Sequence, residues 1–235
     1  MITQLRSLDC TLIILSATLT SSRRTKLLGK STATEAYPLI TAWQGSSTQP
    51  LQEYPVAISQ QQQVNIEIMP MEHQSVLEEV LARAELGEQV LWIENTVAEA
   101  QERYFEFAAR AQELGIACGL LHSRFTYMHR QNNEQHWVHH YGKSGWDERI
   151  KHGRILIGTQ VLEQSLDIDA DLLVTRFAPS DMLLQRLGRL WRHQATPRPA
   201  GARCQAWILA PEYQAAEANP RTAFGATASV YNPYI

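Results

Sequence analysis

From Ser75 onward the chain shows a repeating strand–helix rhythm, in which short, mainly apolar runs alternate with longer segments that are apolar on one face. The runs are Val90-Leu91-Trp92-Ile93, Ile116 to Leu121, Arg154 to Gly158, Leu172-Leu173-Val174-Thr175 and Cys204 to Leu209. A strand apolar along its whole length must be covered on both faces, which is the condition of a parallel sheet flanked by helices. The intervening segments predict those helices: Ser75 to Leu86 with Gly87 as its stop, Val97 to Leu114 closed by Gly115, and Thr126 to His140. A further helix is predicted from Ser180 or Asp181 to about His193. Val64 to Met69 alternates apolar and polar residues as an edge strand does. The expected fold class is α/β, a three-layer α/β/α domain built on a parallel sheet.

The remainder reads differently. Cys10 to Leu15 is a short β-rich apolar run, expected to be a buried strand and in need of partner strands that the chain does not obviously supply. From Ser21 to about Gln63 the composition shifts to Ser, Thr, Gln and Pro, as in a connector. The tail from Pro211 has little periodicity and reads as the start of a truncated region. At 235 residues with 44% hydrophobic and 19% charged content, the chain can bury a substantial core and is not a disordered one. A net charge of -3 gives no global case for a polyanion partner, so any such surface must be local. Cys10, Cys118 and Cys204 are scattered without metal spacing, which favours reduced thiols and a cytoplasmic location. No apolar stretch reaches the roughly 20 residues that span a bilayer, and no secretion signal opens the sequence.

Polar residues follow several strands directly, where a parallel sheet collects its ligands. Asn95 and Thr96 follow one strand, His122-Ser123-Arg124 a second, and Thr159-Gln160 a third. Small donors with one arginine suit tracking along phosphates, which fixes position without reading sequence. The plainer alternative for Asn-Thr is a helix cap. The loop continues to Asp167, a candidate acceptor for a ribose hydroxyl, past Glu163 and Gln164, which could couple two ligands. In the predicted helix after Ser180, Gln185, Arg189 and Arg192 share one side at spacings of four and three residues. Two permanently charged guanidinium groups so spaced suit the negative charge of phosphoryl transfer. Gly188 inside that helix costs roughly 1 kcal/mol against Ala, which suggests a close backbone approach. His129, His136, His139 and His140 invite a metal reading, but no third ligand has convincing spacing, and no metal site is predicted.

Three strings carry a resemblance. Ser16-Ala17-Thr18 after an apolar run, Gly158 to Asp169 with its Glu163-Gln164-Ser165-Leu166-Asp167 core, and Gln185-Arg186-Leu187-Gly188-Arg189-Leu190-Trp191-Arg192-His193 resemble late motifs of superfamily 2 helicases. The Glu-Gln-Ser-Leu-Asp string, Leu121 to Phe125 and the Arg-His ending resemble the CRISPR-associated helicase-nuclease of type I systems. The resemblance implies a whole second RecA-like domain at 70–212, preceded by the end of a first at 1–20 and a connector at 21–69, and followed by the start of a further region at 213–235. It implies an ATP-dependent translocase on single-stranded DNA that acts with an RNA-guided surveillance complex and with the rest of the helicase-nuclease polypeptide. Arg189 and Arg192 would be its arginine fingers, with Gln185 and Asp167 near the nucleotide. Ser16, Ala17 and Thr18 would form a coupling motif. Asn95, Thr96, His122, Ser123, Arg124, Thr159 and Gln160 would face DNA. ATP and Mg2+ would be held mainly by the first RecA-like domain, because the sequence has no Gly-x-x-x-x-Gly-Lys phosphate loop and no Asp-Glu-x-His string. No HD nuclease segment is visible either. The chain alone is therefore expected to hydrolyse ATP negligibly. A non-catalytic nucleic-acid-binding remnant, or another superfamily 2 helicase, is the alternative.

Overall fold

The computed structural model describes residues 2–8, 10–16, 19–31, 34–43, 50–57, 62–71, 74–163 and 166–231. The chain divides into two compact units, 1–62 and 63–235. In the first, α1 (Ile2–Ser7) and α2 (Ser21–Leu28) accompany a two-stranded antiparallel ribbon, β1 (Leu39–Ala42) against β2 (Gln52–Pro55). Helix α2 starts at Thr20, whose side chain accepts from the Arg23 N–H, and stops at Gly29 in the left-handed conformation. The strand expected over Cys10 to Leu15 is not there: residues 10–16 have no regular structure, and Ile13 and Leu15 are 81% and 91% exposed. A lone strand leaves its backbone groups unpaired, and among the described residues of this unit only β1 and β2 pair.

The second unit is built on a six-stranded, wholly parallel sheet in the order β3-β8-β7-β4-β6-β5. Its strands are β3 (Asn65–Pro70), β4 (Gln89–Ile93), β5 (Ala117–Leu121), β6 (Arg154–Gly158), β7 (Leu172–Arg176) and β8 (Gln205–Ala210). The helices are α3 (Gln74–Glu85), α4 (Val97–Glu113), α5 (Tyr127–Tyr141), α6 (Trp146–Arg149), α7 (Ser180–Leu187), α8 (Tyr213–Ala218), α9 (Pro220–Phe224) and α10 (Thr227–Val230). Alternate residues of each central strand enter opposite cores. Val90, Trp92, Ile155, Ile157, Leu172 and Val174 pack with Val80 of α3 and Phe107 of α4. Leu91, Ile93, Leu156 and Leu173 pack with Trp137 and Tyr141 of α5, and with Leu162, Ile168 and Leu190. The central strands β4, β6 and β7 are thus buried on both sides, as a parallel sheet demands, while the edge strand β5 is partly exposed. Trp137 lies so close over β5 that a Cβ on Gly119 would fall 2.0 Å from its ring, so only glycine fits there.

The two ends of the sheet differ. The amino end is locked by charge. Arg149 and Asp171 are fully buried and paired at 2.9 Å, and the other Asp171 oxygen accepts the Gln89 N–H at 2.8 Å. Arg198 reaches both Asp169 and Asp171 and lies 4.3 Å over the Trp191 ring. The carboxyl end carries the polar residues that directly follow β4, β5 and β6. Among the described residues no helix is long and apolar enough to cross a membrane.

Candidate nucleotide and nucleic-acid site

The loops leaving β4, β5 and β6 meet at the carboxyl end because their strands are neighbours in register, with Ile93 opposite Gly158 and Gly158 opposite Leu121. Backbone bonds tie the exits together: Glu94 N–H donates to Gly158 O at 2.8 Å, and Thr159 N–H to Leu121 O at 3.2 Å. Ser123 and Arg124 stand exposed at this edge, and Gln160 is half-buried. Three other residues placed here by sequence have their polar groups turned to internal partners. Thr96 caps α4 in a reciprocal box with Glu99, the cap foreseen as the plainer alternative. Asn95, 2% exposed, donates to Phe177 O and Thr227 Oγ1 and accepts from Arg186. His122 stacks on Phe125 with ring centroids 4.2 Å apart, and its Nδ1 accepts the Arg124 N–H at 3.2 Å. Burial, then the nearby Arg124 charge, lowers the His122 pKa. Thr159 is buried at 2% exposure.

The segment after Gln160 leaves this edge. It crosses over the sheet face, burying Leu162, Ile168 and Asp169, and meets β7 at the opposite end. Of the expected Thr159 to Asp169 stretch, Thr159 and Gln160 lie at the carboxyl edge and the Glu163 side chain reaches it through Arg186. Asp167 is 49% exposed, and its Oδ1 lies 3.0 Å from His193 Nε2 and 3.3 Å from Arg192 Nε. Gln164 and Ser165 lie outside the described residues.

The helix expected to run to His193 stops at Leu187, which is a correction. Arg189 and Arg192 do not share a helix face with Gln185, which sits half-buried in the last turn of α7. The chain is pulled out of helix by tertiary bonds: Ala170 N–H donates to Arg189 O at 2.8 Å and Trp191 N–H to Ala170 O at 3.0 Å. Trp191 has φ +49°, a conformation costly for a bulky residue, and its indole N–H is anchored on Asp171 O at 3.0 Å. Gly188 caps the helix, and a Cβ there would meet only carbonyl oxygens at 3.3 and 3.5 Å, so the close approach inferred from its presence is not found. The loop still gathers both arginines beside Asp167. Arg189 donates to Leu166 O at 2.8 Å and Glu163 O at 2.6 Å, while its Nε is buried without a hydrogen-bond partner. Burial, then the Arg192 charge, lowers the Arg189 pKa.

Arg186 was not singled out from sequence. It is fully buried and binds Glu163 Oε1, Thr175 Oγ1, Arg176 O and Asn95 Oδ1 at 2.7, 2.7, 3.0 and 2.9 Å. Burial raises the Glu163 pKa, against the lowering effect of Arg186. The signal was present: Arg186 falls three residues after Leu183 on the apolar side of α7, where a charge needs a carboxylate. The tail is the other omission. Thr227 is hydrogen-bonded to Asn95 at 2.9 Å, Phe224 packs on Phe177 at 5.4 Å, and the Tyr231 hydroxyl lies 3.2 Å from Gln160 Nε2 and 3.4 Å from Arg186 Nη2.

Ser16, exposed, lies in the first unit, and Ala17 and Thr18 lie outside the described residues. His136 and His140 are near one another on α5 with ring centroids 4.6 Å apart. Among the described residues no group of three His, Cys, Asp or Glu side chains is arranged to hold a metal ion.

Comparison with known proteins agrees with this architecture. Residues 86–195 match the family described as CRISPR-associated nuclease/helicase Cas3, C-terminal. The Escherichia coli CRISPR-associated endonuclease/helicase Cas3 is 39% identical over 207 residues, which is 80% of this chain and 22% of that protein. The Streptococcus thermophilus CRISPR-associated nuclease/helicase Cas3 is 35% identical over 198 residues, 77% of this chain and 20% of that one. The chain thus spans about a fifth of these relatives' length. The crystal structure of T. fusca Cas3 with ADP superposes with a TM-score of 0.82 at 29% identity, covering 98% of this chain and 29% of that one. A chain of a CRISPR RNA-guided surveillance complex in a pre-nicking state gives a TM-score of 0.78 at 29% identity, covering 98% of this chain and 30% of the other. With a RecA-like parallel sheet and these likenesses across nearly its whole length, the chain belongs to the Cas3 helicase family, as a segment of its helicase region.

Proposed function

We propose that this chain is the second motor domain of an ATP-dependent single-stranded DNA translocase acting in CRISPR interference, in the cytoplasm. The observation that carries the reading is the loop 189–193, in which Arg189, Arg192 and His193 gather with Asp167 beside a crossover that starts at the polar carboxyl edge. One segment, 159–167, therefore links a nucleotide-facing cluster to a DNA-facing edge. In this reading Arg189 and Arg192 neutralise charge developing on a transferred phosphoryl group, a contribution of about 10³–10⁵ in rate for such arginines. Bound ATP with Mg2+ supplies the phosphoryl group, held mainly by a first RecA-like domain carrying the phosphate loop that this sequence lacks. Ser16, Ala17 and Thr18 belong to the coupling motif of that first domain, and the segments 1–20, 21–69, 70–212 and 213–235 are its end, a connector, the second motor domain and the start of a further region. Ser123, Arg124 and Gln160 contact DNA directly, while Thr159, which is buried, and Asn95, Thr96 and His122, whose polar groups have internal partners, support them. An RNA-guided surveillance complex and the rest of the helicase-nuclease are the macromolecular partners. The chain alone hydrolyses ATP negligibly.

One observation favours a second reading. Arg189 already donates to two backbone carbonyls, which suits a non-catalytic nucleic-acid-binding remnant whose arginine only braces the loop. Fluorescence anisotropy with single-stranded DNA and RNA of equal length tests the DNA half of the proposal. The expected result is binding to DNA that falls steeply with salt and weakens on Arg124→Ala. Binding to RNA alone, or none at low salt, contradicts it.

A further inference from the structure

The hydrogen-bond inventory of Gln160 limits what it can touch. A glutamine amide offers two N–H donors and one carbonyl oxygen. Nε2 donates to Asn95 O at 2.9 Å and to the Tyr231 hydroxyl at 3.2 Å. A backbone carbonyl only accepts, so the amide has one orientation here; turned over, it would set two oxygens against each other. The Tyr231 oxygen also receives Arg186 Nη2 at 3.4 Å, so it faces both neighbours as an acceptor. Both Gln160 donors are then spent. Oε1 is left, on a half-buried side chain at the carboxyl edge, and it accepts from no described residue.

An oxygen acceptor is repelled by phosphate, whose oxygens also only accept. It is attracted to N–H groups, and each of the four DNA bases carries at least one. We propose that Gln160 faces the bases of a bound single strand rather than its phosphates; Asn95 O sets the amide's orientation, and Tyr231 is the positioning residue that takes up its second N–H, which a phosphate would otherwise attract. The inference rests on the reading that single-stranded DNA follows this edge. It divides the edge by chemistry: Ser123 and Arg124 take the phosphates as donors, and Gln160 takes base N–H groups as an acceptor. Such a contact tolerates any sequence, because every base has a suitable donor. It also gives the tail a role, since Thr227 on Asn95 and Phe224 on Phe177 bring Tyr231 to the edge.

The test compares two oligonucleotides of equal length, oligothymidylate and an abasic strand with the same phosphates, binding to the full chain. Wild type is expected to prefer oligothymidylate. Gln160→Ala should weaken that binding about 2- to 10-fold, the scale of one hydrogen bond, and leave the abasic strand unchanged. Tyr231→Phe keeps the ring but frees one amide hydrogen, so the ratio between the two strands should fall toward that of Gln160→Ala. A merely structural effect of either change would lower both affinities in parallel. Arg124→Ala should weaken both strands alike. The inference is overturned if Gln160→Ala weakens both strands equally or neither, or if Tyr231→Phe leaves the ratio unchanged. Wild type binding neither strand would instead overturn the nucleic-acid reading on which it depends.

Discussion

Asp171→Ala removes the carboxylate that the amino end of the sheet is organised around. Asp171 Oδ1 accepts from Arg149 at 2.9 Å and from Arg198, and Oδ2 accepts the Gln89 N–H at 2.8 Å. Arg149 has no solvent access, so after the change its guanidinium stays buried with only the carbonyls of Tyr141 and Asp169 as partners. Breaking a buried ion pair from one side costs about 3–5 kcal/mol, chiefly the desolvation of the charge left behind. Against a domain stability of about 5–15 kcal/mol, that is a large share. With a urea m-value near 2 kcal/mol/M, the midpoint should fall by about 1.5–2.5 M. Tryptophan fluorescence reports it, since Trp92 and Trp207 are buried in the sheet at 0% and 4% exposure. The same reasoning expects Arg149→Met with Asp171→Leu to recover most of the loss, because it leaves no unpaired charge. A midpoint shift below about 0.5 M for Asp171→Ala, or a double variant as unstable as the summed single changes, would refute it.

Three further outcomes are expected. Thr96→Ala should cost about 1 kcal/mol through the lost cap of α4, as measured by urea unfolding. Burial lowers the pKa of His122 and of His140, so the folded state resists their protonation. The stability they allow is present above the ordinary imidazole value of about 6.5 and is lost as pH falls through it. Unfolding between pH 7 and 5 should accordingly show falling stability, with a shallower slope in His122→Gln. Burial pushes the Cys118 thiol up to about 12, so roughly one in ten thousand is thiolate at pH 8. A maleimide should then modify exposed Cys10 and spare Cys118, read by mass spectrometry of peptides.

The sheet was legible because its central strands are buried on both faces and so appear as mainly apolar runs, with Arg154 to Gly158 matching to the residue. Helix α4 was legible for the same kind of reason, a local signal at each end in Thr96 and Gly115. What escaped the sequence depends on distant partners. The apolar run Cys10 to Leu15 reads as a strand, yet a strand exists only where another pairs with it. The end of α7 is set by Ala170 and Asp171, about twenty residues earlier, whereas the residues after Leu187 keep a helical pattern. The tail helices have four to six residues each, too short for periodicity, and are held by Asn95 and Phe177. For the site, residue types at strand ends identified the edge but not the direction of each side chain. Asn95, Thr96 and His122 are at the edge and turned inward, and Arg186 was overlooked beside the more conspicuous Arg189 and Arg192.

The central claim is that this chain supplies one half of a motor whose other half binds the phosphates. ATP hydrolysis with single-stranded DNA, measured for the chain alone and mixed with a separately made upstream half that carries a phosphate loop, tests it most directly. Turnover is expected only in the mixture, dependent on DNA and reduced at least about 10³-fold by Arg189→Ala. Turnover by the chain alone, or a mixture whose activity is indifferent to Arg189→Ala, would contradict it.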